Sequence, residues 1–164
     1  MAAGRSALLA CLTSGLALRT SFMNTLRGGC HCDNIRVGFE TALAPGALSL
    51  RCCQCSFCTK QGARYASDSQ GHLTITVRDA ALLVRYRFAL GVTDFLVCRS
   101  CGIYVAATMG AGAEVRGVVN VNVLDDQDSL SGTAGPMVYD GESVEDRTAR
   151  RVRGWMPVTM LLPA

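Results

Sequence analysis

This 164-residue sequence predicts an all-β domain that closes with one short helix. Three observations carry the prediction. Several short runs alternate apolar and polar residues at the strand period of two. Turn-forming dipeptides separate these runs. One stretch near the C-terminus has the charge order of a helix instead.

The strands read as follows. Ile35, Val37 and Phe39 alternate with Arg36, Gly38 and Glu40. Leu73, Ile75 and Val77 alternate with Thr74, Thr76 and Arg78, and Val84, Tyr86 and Phe88 with Arg85 and Arg87. Phe95 and Val97 lead into Cys98, and Ile103–Thr108 and Val115–Leu124 are further β-rich runs. Breaks fall at Pro45-Gly46, Ser69-Gln70-Gly71, Leu90-Gly91 and Gly110–Gly112, while Gly28-Gly29 reads as a turn beside the first β segment. Gly132–Pro136 reads as a loop. The helix is expected over Ser143–Arg153. Ser143 is its N-cap, Glu145 and Asp146 lie in the first turn, arginines come later, and Gly154 is the stop.

The chain is 49% hydrophobic and 18% charged, enough apolar material for a sizeable core. Its length suits one domain, expected over residues 23–164. Residues 1–22 contain arginine and no acid. They read as an N-terminal extension outside the fold, with translation starting at Met1 or Met23. The apolar stretch there is too short and interrupted to span a bilayer, and no other membrane segment is expected. A formal charge of +3 is mild and does not by itself argue for nucleic acid, which is not expected as a partner.

Seven of nine cysteines fall into three clusters: Cys30-His31-Cys32, Cys53-Gln54-Cys55-Ser56-Phe57-Cys58 and Cys98-Arg99-Ser100-Cys101. The odd count, the tight spacings and the large apolar fraction oppose a secreted disulfide scaffold. Metal ligation needs thiolates, so a reducing, cytoplasmic setting is expected. Tetrahedral zinc takes four protein ligands in a closed structural site and three in an open catalytic one. Cys30 and Cys32 with Cys98 and Cys101 make a closed set that would pin the N-terminal strand to the middle of the domain. Gly102 lets the backbone turn beneath the second pair. Cys53, Cys55 and Cys58 are local and leave a fourth corner open.

Another division recruits Cys52 as a fourth ligand beside Cys53, at the cost of strain, because adjacent side chains on an extended chain point to opposite faces. Cys52 otherwise reads as a small buried apolar residue, and Cys11 as irrelevant if translation starts at Met23. Zinc with four thiolates carries two net negative charges and is a poor Lewis acid. With three it carries one and can accept a soft fourth ligand such as an incoming thiol. Two zinc ions per chain are therefore expected. All seven cysteines acting purely in structure remains the alternative.

His31 lies between two ligands and is expected to face away from the metal, and His72 to be a solvated loop residue. Lys60, Arg64 and Arg51 flank the trio. They read as solvent-facing charge or as attractors of an acidic thiol's carboxylates. Lys60 is a weak candidate for proton transfer. Arg147, Arg150, Arg151 and Arg153 form a second basic cluster, with 147, 150 and 151 on one helical face. A solvated face is the default for it.

Arg27-Gly28-Gly29-Cys30-His31-Cys32, Cys53-Gln54-Cys55-Ser56-Phe57-Cys58-Thr59-Lys60 and Cys98-Arg99-Ser100-Cys101-Gly102 together resemble the CENP-V/GFA family, named for glutathione-dependent formaldehyde-activating enzyme. The resemblance runs from about Leu26 to about Leu124 and includes Val119–Val123. It implies small twisted antiparallel sheets, the β-tent, pinned by zinc. It also implies Cys30, Cys32, Cys98 and Cys101 as structural ligands and Cys53, Cys55 and Cys58 as catalytic ones. The implied activity is carbon–sulfur lyase chemistry on a small thiol, glutathione or its formaldehyde adduct. The family also holds chromosome-associated members, so a zinc-stabilised module engaging protein or nucleic acid is the alternative. The sequence departs from many members at Phe95-Leu96-Val97, where they carry a histidine. Substrate and oligomeric state are left open.

Overall fold

A computed structural model describes residues 23–130 and 132–163. The N-terminal extension, Cys11 and the choice of start therefore lie outside the described residues. In chain order the elements begin with β1 (Asn24–Gly29), β2 (Ile35–Thr41), β3 (Arg51–Cys53), α1 (Ser56–Lys60), β4 (Tyr65–Ala66) and β5 (His72–Val77). There follow β6 (Leu83–Tyr86), β7 (Asp94–Cys98), β8 (Tyr104–Ala111), β9 (Glu114–Asn120), β10 (Gly135–Met137), α2 (Val144–Gly154) and β11 (Met156–Leu161).

The strands join in one branched sheet. β1, β2 and β5 form an antiparallel meander on one side. β6, β7, β8 and β9 form another on the other side. β11 joins the two. Met156 and Pro157 pair antiparallel with Gly117 and Arg116 of β9, and Val158–Leu161 then run parallel to Leu73–Thr76 of β5. β9 also carries β4, which pairs with β3, which in turn pairs in parallel with β10. Most pairings are antiparallel, as the resemblance implied, and the two parallel ones, β3 with β10 and β5 with β11, make the sheet mixed. Parallel pairing needs a long connection, and both parallel partners, β10 and β11, come late in the chain, after long excursions.

Alternation was a sound guide where one face is buried. β2 buries Ile35, Val37, Phe39 and Thr41 in strict period two, and β5 buries Leu73, Ile75 and Val77. β7 breaks the pattern: Phe95 and Leu96 are both buried, and the register with β8 shifts between Leu96 and Val97. That bulge re-aims the end of the strand that carries Cys98. Phe88 falls outside β6.

Gly28 and Gly29 are strand residues of β1, not a turn. A Cβ at Gly28 would lie 2.0 Å from the Val123 carbonyl oxygen, so glycine here permits close backbone approach. The helix α2 starts as expected. The Ser143 hydroxyl accepts the Asp146 backbone N–H at 3.0 Å, and Glu145 and Asp146 lie in the first turn. Gly154 is its last residue, and Trp155 ends it. The 132–136 loop expectation holds only in part, because Gly135 and Pro136 belong to β10. α1 was not expected from the sequence.

Two apolar clusters result. The larger packs Ile35, Phe39, Leu73, Ile75, Leu96, Val105, Val119 and Met156 between the two meanders. The smaller gathers Tyr65, Phe95, Tyr104, Val118 and Trp155 around Cys58. Each cysteine cluster borders a different core.

Candidate functional site

Two sets of sulfurs converge. The Sγ atoms of Cys30, Cys32, Cys98 and Cys101 lie within 4.8 Å of one another, and so do those of Cys53, Cys55 and Cys58. None of these cysteines is in a disulfide.

The quartet sits where two strand ends meet. Cys30 follows β1, and Cys98 ends β7. In each pair the chain turns under the sulfurs through a positive φ, at Gly102 (75°) and at Asp33 (59°). The first matches the expected glycine. At the second, aspartate takes the role, as it tolerates the left-handed region better than most side chains. The Ile35 N–H donates to Cys30 Sγ at 3.2 Å. Sulfur separations of 3.7 Å (Cys30–Cys32) and 3.4 Å (Cys32–Cys98) suit one ion. A tetrahedron with zinc–sulfur arms of about 2.3 Å has edges of about 3.8 Å.

Burial pushes the Cys30 thiol up to about 12. At Cys101 burial is outweighed by the backbone N–H groups of Ile103 and Cys32 and by neighbouring thiols, which bring it down to about 6. Thiols so close cannot all ionise without a cation among them. The donor set is soft and fully sulfur, which fits zinc.

The trio was expected to be local in the chain. The structure puts it on a strand end and a helical turn. Cys53 ends β3, Cys55 is the N-cap of α1, and Cys58 lies within α1. Cys55 and Cys58 are three apart on a helical turn and so share a face. The Gln54 N–H donates to the Met137 carbonyl at 2.9 Å, tying this turn to β10. Phe57 packs against the smaller core, its ring centroid 4.9 Å from Phe95 and 5.2 Å from Tyr104. Cys52 is half-buried, not fully so, and stays outside the cluster. The Tyr65 hydroxyl donates to Cys58 Sγ at 2.9 Å. A hydrogen bond from the Cys58 thiol, helped by the Cys55 backbone and thiol and by Arg151, outweighs burial and draws the Cys53 thiol down to about 6, while the Cys58 thiol is pushed up.

Beside the trio lies a small cavity of about 60 Å³ that opens to solvent. Cys53 and Cys58 face it, with Arg51, Tyr139, Arg151 and Trp155 among its walls. A larger groove of about 120 Å³ continues past Cys55 and Gln54 to Phe88 and Asp140.

Arg153 is exposed, as a solvated face would have it, but Arg147, Arg150 and Arg151 are not part of one. Arg151 is only 9% exposed. Its guanidinium stacks over Trp155 at 4.5 Å and donates to the Thr93 hydroxyl. Burial draws it down to about 10. Arg150 lies 3.8 Å over the Tyr139 ring, and Glu142 accepts from Arg150 at 2.6 Å and from Arg147 at 3.2 Å. Shared spacing at 147, 150 and 151 marked the face correctly. What it packs against was invisible in the sequence, and Tyr65, Trp155 and Thr93 carried no motif at all.

The other sequence candidates separate. Arg51 reaches the cavity, where it donates to the Ser67 hydroxyl. Arg64 turns to Asn122 (2.9 Å) and Gln127 instead, and Lys60 is exposed on α1. His31 is exposed, as expected. His72 is not a loop residue. It opens β5 and lies 2.9 Å from the Thr159 hydroxyl. Among the described residues no helix is long and apolar enough to cross a membrane.

A crystal structure of a Rhodobacter sphaeroides protein is similar to this chain. It is 30% identical, with a TM-score of 0.50 over 68% of this chain and 99% of its own. No match was found among curated proteins. The family model described as glutathione-dependent formaldehyde-activating enzyme matches residues 25–139, the span that carries all seven clustered cysteines. With that span and both sulfur clusters in place, this chain belongs to the glutathione-dependent formaldehyde-activating enzyme family.

Proposed function

We propose that this chain is a zinc-dependent carbon–sulfur lyase-like enzyme, acting on a small thiol, glutathione or its formaldehyde adduct. One observation carries the reading: the three-sulfur cluster opens onto a cavity, whereas the four-sulfur cluster is closed by its own ligands. Cys53, Cys55 and Cys58 would hold a catalytic zinc, and Cys30, Cys32, Cys98 and Cys101 a structural one. Zinc in the open cluster supplies a site where an incoming thiol is held as thiolate at neutral pH.

The family's general chemistry joins formaldehyde to glutathione. The thiol sulfur forms a bond to the aldehyde carbon, and the carbonyl oxygen takes up the proton that the thiol released. The reverse breaks the same bond, so no further reactant is consumed. The residues of this chain bind and orient. Tyr65 fixes the Cys58 sulfur, and Cys58 sits in one apolar cluster with Phe95 and Tyr104, against which Cys53, Cys55 and Phe57 pack. Lys60 is exposed, which weighs against its weak candidacy for proton transfer. Reduced thiols in both clusters support a cytoplasmic setting.

The alternative, a binding module engaging nucleic acid or protein through its arginine face, loses support. Arg147 and Arg150 are tied to Glu142, and Arg151 is buried. The deciding experiment is zinc content of Cys55→Ser. The expected result is a folded protein that has lost one of two zinc ions. An unfolded variant would make the trio structural and overturn the enzyme reading.

A further inference from the structure

We infer that Arg151 is a catalytic residue, whose Nε–H meets the aldehyde oxygen as the carbon–sulfur bond forms. The inference rests on the lyase reading above. It adds a residue from α2, which lies beyond the 25–139 span that the family model matches.

The Arg151 Nε is buried and has no partner among the described residues. The rest of the guanidinium is fixed, since it stacks over Trp155 and donates through Nη1 to the Thr93 hydroxyl. Buried donors are nearly always paired, so one left open on a fixed side chain points to a ligand. Tyr104 Oη and Arg116 Nε also lack partners, but neither residue lines the cavity or the groove. The other donors at the site are committed. Arg147 and Arg150 donate to Glu142, and Arg51 to the Ser67 hydroxyl. The Tyr65 hydroxyl serves Cys58, and the Gln54 amide serves the Cys52 carbonyl.

Arg151 lines both the small cavity and the groove, as do Cys53, Cys58 and Tyr139. It therefore stands where the two spaces meet, beside the sulfurs. A single water needs about 10–15 Å³ measured in this way. The cavity of about 60 Å³ thus has room for a one-carbon carbonyl and leaves the body of a thiol to the groove.

The chemistry calls for a donor at that place. As the thiol sulfur bonds to the aldehyde carbon, the π pair of the carbonyl moves onto oxygen. That oxygen is negative until it takes up the proton that the thiol released. In the reverse direction the same contact meets the same oxygen. A fixed cationic donor needs no reorganisation at that moment and is worth most where water is excluded. Burial draws Arg151 down only to about 10, so it is a cation at neutral pH.

The test titrates the zinc-loaded full chain with glutathione alone, with formaldehyde alone and with both. The mixture differs from glutathione by the hydroxymethyl group that forms on sulfur. The Arg151 Nε–H resonance, assigned through its bonded carbons, is followed by NMR. It is expected to move downfield with the mixture and by far less with either component alone. Exchange between free and hydroxymethylated glutathione in the same samples reports turnover. Arg151→Lys keeps the charge and loses the Nε–H. It is expected to lower kcat about a hundredfold, the effect of removing one oxyanion donor, with KM and zinc content unchanged. An Nε–H that moves equally with glutathione alone, or parental turnover in Arg151→Lys, overturns the catalytic role alone. If Arg151→Lys does not fold, the resonance in the parent chain decides. A parent chain that leaves the exchange at its uncatalysed rate overturns the lyase reading, and this inference with it.

Discussion

The Tyr65 hydroxyl donates to Cys58 Sγ across 2.9 Å, and both residues are buried. β4 thereby reaches into the trio and sets the direction of one sulfur. A hydrogen bond onto a ligand atom orients it and tunes how strongly it holds a metal.

Tyr65→Phe keeps the ring and removes only this donor. Zinc affinity of the open cluster is expected to fall roughly 10–100-fold. The closed cluster should be untouched, since Tyr65 belongs to the other core. Competition with a chromophoric chelator would show one weakened zinc ion and one unchanged. Equal weakening of both would show that the bond serves the whole fold instead.

Cys98→Ser should act on folding. Cys98 is fully buried, ends β7, and meets Cys32 at 3.4 Å. Structural zinc supplies about 10–16 kcal/mol in small zinc-finger peptides, and the quartet joins segments from both meanders. The variant is expected to lose both zinc ions and cooperative thermal unfolding. A cooperative transition retaining one zinc would place the fold's stability in its apolar cores alone.

Gly28→Ala tests the backbone approach that brings β1 alongside Leu124. The new methyl would sit 2.0 Å from the Val123 oxygen and 2.7 Å from Leu124 Cα, both main-chain atoms that cannot swing aside. A loss of about 3 kcal/mol is expected in denaturant unfolding, at the upper end of overpacking costs. A loss under about 0.5 kcal/mol would mean that the 121–124 segment yields freely.

Glu142→Gln should release Arg147 and Arg150. The Arg150 guanidinium, with Arg147, holds the Glu142 carboxyl below the usual carboxylate range against a smaller opposing effect of burial. A depressed folded pKa means that this stabilisation is complete above the unfolded value, about 4.3. It is lost as pH falls through the depressed one. The variant is therefore expected to be about 1 kcal/mol less stable at pH 7, converging with the parent at acid pH. Urea midpoints at pH 7 and pH 3 check it. A gap that persists at pH 3 would assign the effect to packing.

The division of the cysteines was legible in the sequence because ligand spacing is a local property. Residues two or three apart can reach one ion whatever the rest of the chain does, and turns such as Cys101-Gly102 announce themselves. Alternation over 35–39 and 73–77 was legible for the same reason, since a strand with one buried face writes its period directly. The N-cap at Ser143 and the shared face of Arg147, Arg150 and Arg151 were likewise local.

What that face meets was not local. Arg151 stacks on Trp155, bonds Thr93 from 58 positions away and borders Cys53 only because α2 docks where β11 turns to join β9. The parallel pairings of β10 and β11 and the bulge in β7 belong to the same class. They are decided by which segments bury the most apolar surface together, a balance over the whole chain that no window of neighbouring residues contains. The sequence by itself determined which sulfurs gather. The tertiary structure alone decided that one group is sealed and that the other opens onto a cavity walled by arginine.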